Sequence, residues 1–186
     1  PENLPIVLEA LVEDPSTDIR MELWAARGLM SIPRHADEGL AMLRQIRMNS
    51  PDDPAVGAAL LSALKGLEEI PDEDFDFLHE HVSENLDDLR ALELLADYYA
   101  RKEDLSDDAL QIYRHAAATS PRRRVYLRLM GKASASRHEW ADVIKIFDEI
   151  RGEGQETEDM IIPLATAYAE FDRSDESAQD IYRRAI

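Results

Sequence analysis

The chain has 186 residues, 45% of them apolar, with 39 acidic and 21 basic side chains and a net charge of −18. This is the composition of a folded domain or a short repeat array, and its charge repels nucleic-acid phosphates and anionic membranes. No apolar run approaches the roughly 18 residues of a membrane span, and the absence of cysteine excludes disulfides and thiolate metal sites.

Only Lys65, Lys102, Lys132 and Lys145 are lysines. A lysine-poor acidic surface has two readings that stay open: adaptation to high salt, and a GC-rich genome. A cysteine-free chain fits the cytoplasm, the preferred reading, and also a periplasm. The chain begins on Pro1 and ends within a helical pattern, IYRRAI, so it is read as a piece of a longer protein.

Prolines punctuate segments of helical period, and no strand-type alternation occurs. About eleven helices are expected, and no sheet. Residues 1–15, with Val7, Ala10 and Pro15, read as the second helix of a truncated repeat. Residues 16–51 hold a first helix containing Trp24 and Gly28. Its phase has two solutions, one on Trp24 and Gly28 and one on Leu23 and Met30. Gly39, Leu43 and Ile46 then stripe a second helix, ended by Pro51. Residues 52–86 carry Leu60, Ala63, Leu64 and Leu67, then Phe75, Leu78 and Val82.

Residues 87–121 give the clearest hairpin. Leu92, Leu95, Ala96 and Tyr99 lie at i, i+3, i+4 and i+7, one stripe of a helix. Ala109, Ile112, Tyr113 and Ala116 form a second stripe. Ser106 is its expected N-cap, and Pro121 stops it. Residues 122–156 repeat the pattern with Leu127, Met130 and Gly131, then Val143, Phe147 and Ile150. Residues 157–186 repeat it with Ile161, Leu164, Ala165 and Tyr168, then Ala178, Tyr182 and Ala185. The stretches 96–116 and 165–185 share eight of 21 residues without a gap. A helical hairpin cannot bury its stripe alone, so copies stack on one another.

With a period of about 34 residues, these positions resemble the tetratricopeptide repeat family, most strongly from residue 87 on. Ser134 stands where that pattern has Tyr. The resemblance implies an all-α, right-handed superhelical solenoid of antiparallel hairpins, a single array over 1–186. It further implies a concave groove lined by the first helix of each hairpin. A related half-repeat family of RNA-processing scaffolds shares an IYRRA-like signature, but its tryptophan-rich first helices are missing here.

Chemistry-bearing motifs are absent. His79 and His81 are two apart and point to different sides of a helix. His35, His115 and His138 lack a ligand-spaced partner. There is no phosphate loop, no nucleophile elbow and no cysteine nucleophile. The reading is therefore no enzyme, no cofactor and no metal. Core packing explains Tyr99, Tyr113, Tyr168 and Tyr182, whereas Tyr98 is expected at the surface.

One stretch stands out in this acidic chain. PRRRVYLRLMGK places Arg124, Arg128 and Lys132 four apart, on one helix face. The resemblance puts Arg128 and Lys132 in the groove and gives Glu93 and Asp97 the equivalent positions one repeat earlier. Glu93, Asp97, Arg124, Arg128 and Lys132 are thus the groove candidates. Either Arg128 and Lys132 pair with Glu93 and Asp97, or the strip receives an acidic segment or carboxylate of a partner. The family variant that grips chaperone C-termini uses Asn, and Asn3, Asn49 and Asn85 do not match it. The expected role is a non-catalytic module that binds a peptide or partner protein in the groove, without nucleic acid or membrane insertion. The alternatives are a self-associating scaffold, a homo-oligomer, or the regulatory domain of a larger enzyme.

Overall fold

A computed structural model describes residues 18–186. Among the described residues there are ten α-helices and no strand. The eleventh expected helix, in 1–15, lies outside them. The helices are α1 (Ile19–Met30), α2 (Ala36–Asn49), α3 (Pro54–Lys65), α4 (Phe75–Glu84), α5 (Leu89–Arg101), α6 (Asp107–Thr119), α7 (Arg123–Ser136), α8 (Trp140–Gly152), α9 (Ile161–Glu170) and α10 (Glu176–Arg184). The chain divides into two compact units, one ending at Glu68 and one beginning at Glu69. Helices α3 and α4, expected as one hairpin over 52–86, belong to different units.

Helix starts follow their capping residues. Asp18, Asp53, Asp88 and Asp175 each accept a backbone N–H at the head of α1, α3, α5 and α10. Ser106 caps α6 through the N–H of Ala109, as its position in the sequence indicates. Helix α7 has no such cap. Arg122 precedes it, and the buried Ser120 hydroxyl takes the Arg122 N–H instead.

In the first unit, α1 packs on α2, and α3 packs on both. Leu23, Ala25, Ala26 and Leu29 are buried, whereas Trp24 is 60% exposed. The Leu23 register of α1 is therefore the one adopted. Gly39 brings α2 against α1, since a Cβ there would lie 2.7 Å from the Ala26 carbonyl oxygen.

In the second unit each helix from α4 to α10 packs mainly on its neighbours in the sequence. Three hairpins, α5–α6, α7–α8 and α9–α10, make the same turn. Each first helix is closed by a residue in the left-handed region: Glu103 (φ 52°), His138 (φ 60°) and Asp172 (φ 50°). In each, the next N–H reaches back to the last turn. Asp104 donates to Tyr99 O at 2.9 Å, Glu139 to Ser134 O at 2.9 Å, and Arg173 to Tyr168 O at 3.0 Å. This is the 6→1 bond of a Schellman-type helix end.

The second helix returns a bond to the same turn. The Tyr113 hydroxyl donates to Asp104 O at 3.1 Å, and the Tyr182 hydroxyl to Arg173 O at 3.0 Å. That shared bond is a physical reason for the tyrosine in both of the most similar stretches. The middle hairpin solves the space differently. Phe147 has no hydroxyl, and its buried ring fills the place where Gly131 lacks a side chain. A Cβ on Gly131 would sit 2.0 Å from the ring.

Cations at the close of first helices also tie hairpins to the ones before them. Arg101 donates to Ile70 O at 2.7 Å and pairs with Glu69, and Lys102 meets Asp72 at 2.7 Å. Arg137 repeats the device on Leu105 O and Asp107, both at 2.6 Å. Tyr98, expected at the surface, is half-buried and stacks on Phe75 at 4.8 Å, with Arg101 and Lys102 over its ring.

Overpacking of this kind costs about 1–3 kcal/mol. Gly131→Ala is therefore expected to lower stability by about 2 kcal/mol in denaturant unfolding. Gly152→Ala is the control, because a Cβ there meets nothing within 4 Å. It should leave stability unchanged or raise it by up to about 1 kcal/mol. Equal effects at the two glycines would refute the close-approach account.

Candidate functional site

The five candidate residues lie on two first helices, Glu93 and Asp97 on α5 and Arg124, Arg128 and Lys132 on α7. Both helices keep their apolar stripe buried, through Leu92, Leu95 and Tyr99 on α5 and through Tyr126, Leu127 and Ala133 on α7. The charged residues are thereby left at the edge of the packed face. Their side chains are half-buried to exposed, with Arg128 at 39% and Lys132 at 42%.

The acidic pair is occupied near the head of α7. The Ser120 hydroxyl donates to Glu93. Asp97 accepts a two-pronged bond from the Arg122 guanidinium, at 2.6 and 3.0 Å. Arg122 also lies 5.6 Å over the Tyr126 ring. Two-pronged Arg–carboxylate pairs are the most geometrically defined of ion pairs. Arg122 precedes the basic strip and meets α5 first, so Glu93 and Asp97 are already engaged. The pairing of these acids with Arg128 and Lys132, one of the two readings of the sequence, does not occur.

The rest of the strip turns toward α8 and the approach to α9. Arg123 pairs with Glu149 and, at 3.1 Å, with Glu153. Arg124 meets Glu153 at 3.0 Å. Lys132 meets Asp159 at 2.7 Å, whereas the Arg128 Nε is 3.6 Å from the same carboxylate. That Nε is buried and has no hydrogen-bond partner. It alone among the five basic side chains of 122–132 makes no hydrogen bond to a carboxylate.

Asp159 is the residue the sequence reading passed over. It stands in the 3-10 turn Glu158–Met160 that leads into α9, where its side chain also accepts the Thr157 hydroxyl at 2.5 Å. Burial acts to raise its carboxyl, but the Lys132 ammonium, the Thr157 hydroxyl and the Arg128 charge outweigh it. The group is held below its ordinary 3.8. An acidic residue just ahead of an apolar run was the available signal. Tyr126 was missed too, since it follows three arginines yet is fully buried.

Two clefts adjoin these elements. One of about 590 Å³ lies at the head of α7, between Ser120–Val125 and Glu153. Another, of about 570 Å³, is lined by Asp148, Arg151, Glu156, Ser177 and Arg184. There Arg151 is engaged by Glu156 at 2.6 Å, Ser177 at 2.7 Å and Tyr168 at 3.3 Å, a lock between α8 and the last hairpin. Among the described residues, no group of three or more His, Asp or Glu is placed to hold a metal ion. No described helix is long and apolar enough to cross a membrane. No known protein-family model matches the chain, and no curated protein matches it.

The tyrosines around these first helices titrate late. Burial pushes the Tyr99 phenol up to about 12 and also raises Tyr113, Tyr126 and Tyr168. A phenol whose pKa is raised on folding contributes stability that is whole below its unfolded value of 10. That contribution is lost as pH rises toward the folded value. Stability should therefore fall steadily from pH 10 to about 12, with cooperative release of tyrosinate absorbance on unfolding. Early, non-cooperative ionisation of every tyrosine would contradict their burial.

Proposed function

We propose that the hairpins of residues 87–186 form a tetratricopeptide-like array whose first helices line a concave, right-handed superhelical groove. The array acts as a non-catalytic interaction module for a peptide or partner protein. In this reading Glu93 and Asp97 with Arg124, Arg128 and Lys132 form a mixed-charge strip that sets the register of the partner. The thrice-repeated left-handed turn, with its recurrent tyrosine bond, supports the repeat architecture.

The observation that carries the binding role is the half-exposed Arg128 side chain on a first helix, whose nearest carboxylate is 3.6 Å away, outside hydrogen-bond range. A donor without an acceptor is expensive to bury, at about 1–3 kcal/mol. A carboxylate from a partner supplies the missing acceptor in two-pronged form. The net charge of −18 works against long-range attraction of acidic ligands. The contact is therefore local, one carboxylate on a partner that otherwise suits an acidic surface, and it governs specificity more than affinity.

A second reading, self-association, is favoured by Ile162, 69% exposed on α9, and Phe171, 55% exposed at its end. Under it, the double variant Ile162→Ser/Phe171→Ser would convert an oligomer to a monomer in sedimentation velocity. A monomeric wild-type chain at high concentration would set this reading aside.

The groove reading is tested with a fluorescein-labelled, C-terminally amidated Lys-Lys-Glu-Lys-Lys peptide, one carboxylate side chain on a cationic chain, followed by anisotropy at low and physiological salt. The wild type is expected to bind, and Arg128→Gln/Lys132→Gln to weaken binding at least about tenfold, or about 1.4 kcal/mol. Circular dichroism should be unchanged. Arg20→Gln, a substitution at an exposed residue of the first unit, is the control. Binding that ignores the Arg128/Lys132 change overturns the reading.

A further inference from the structure

In the free chain the Arg128–Lys132 pair already faces a carboxylate of its own. Asp159 is not on the helix that carries the two cations. It belongs to the turn ahead of α9 and is steadied there by Thr157. It serves Lys132 fully, at 2.7 Å, and Arg128 poorly, at 3.6 Å. A separation of 3.6 Å is outside hydrogen-bond range. By contrast, the Asp97–Arg122 pair fills both prongs of its guanidinium, at 2.6 and 3.0 Å. One carboxylate is thus shared between two cations, and the arginine fork stays unfilled while its Nε is shut away from water.

We propose that Asp159 is an internal ligand: it occupies the Arg128–Lys132 site in the free protein, and a carboxylate side chain of the partner displaces it. This rests on the groove reading above and specifies how that groove is regulated. The partner must offer an acceptor that fits Arg128 better than Asp159 does, so weakly acidic or poorly oriented ligands are rejected. Displacement also releases the turn 158–160, so occupancy of the site is felt at the head of α9. The half-exposed ion pairs involved are weak, and removing the competitor is worth roughly two- to fivefold in affinity.

The test uses the whole chain with the same fluorescein-labelled Lys-Lys-Glu-Lys-Lys amide and two substitutions of opposite sign. Asp159→Asn keeps the shape and the Thr157 bond but gives up the charge, and should tighten binding roughly two- to fivefold. Asp159→Glu extends the competitor toward Arg128 and should weaken binding. Simple destabilisation of the turn would move both variants the same way, and that result overturns the proposal. Isotope-labelled arginine Nε–H spectra give a second readout, with the Arg128 resonance identified by its loss in Arg128→Lys. It should shift downfield when the one-glutamate peptide saturates the wild type, as the donor gains an acceptor. If Arg128→Gln/Lys132→Gln abolishes binding but Asp159→Asn changes nothing, the groove stands and the internal ligand falls. If the Arg128/Lys132 variant binds normally, both fall.

Discussion

The second unit depends on how each first helix is brought to an end. A helix that must reverse into its partner leaves backbone carbonyls without donors. Here one residue in the left-handed region redirects the chain, and the following N–H satisfies the carbonyl at Tyr99, Ser134 or Tyr168. Non-glycine residues accept that conformation three times, at Glu103, His138 and Asp172. Each pays a modest steric cost that the fixed hairpin geometry offsets. With the turn fixed, the second-helix aromatic has one place to go. Tyr113 and Tyr182 spend their hydroxyls on the turn, while Phe147 exchanges that bond for a closer approach at Gly131.

Charge in this protein is mostly organised between neighbours. Arg101, Lys102 and Arg137 reach back to the hairpin before them, and Arg122 to Asp97. Arg123, Arg124 and Lys132 reach forward. Ion pairs of this exposure add little stability one at a time. Their joint effect is to define which surfaces meet. Among the basic side chains of 122–132 Arg128 is the exception, close to a carboxylate yet 3.6 Å from it, and the proposed binding role starts from that exception.

The helices were legible in the sequence because a period of 3.6 residues records burial directly. Leu92, Leu95, Ala96 and Tyr99 are all buried, as are Ala109, Ile112, Tyr113 and Ala116. The small residue at 131 was legible for the same reason, since a Cβ there would press on the Phe147 ring. The partners of the charged residues were not legible. A salt bridge between hairpins depends on crossing angle and on which turn of a helix comes nearest, and an acidic chain offers several carboxylates for every cation. Glu93 and Asp97 were thus one possible set of partners for Arg128 and Lys132, where Asp159 stands. Trp24 left the phase of α1 open for a related reason. A large apolar residue suggests a core, but the close packing at Ala25, Ala26 and Gly39 set the register of α1.

The back-reaching arginine has a consequence for inheritance. Arg101 bonds a carbonyl 31 residues behind it, and Arg137 one 32 behind, so the tie and its anchor fit within about one hairpin. A duplication of a whole hairpin copies both together, and the new unit arrives already able to hold the old one. Where this tie is present, a hairpin carries with it the means of holding the one before it. The middle hairpin differs at matching positions, with Ser134 where its neighbours have a tyrosine and Phe147 where they have another.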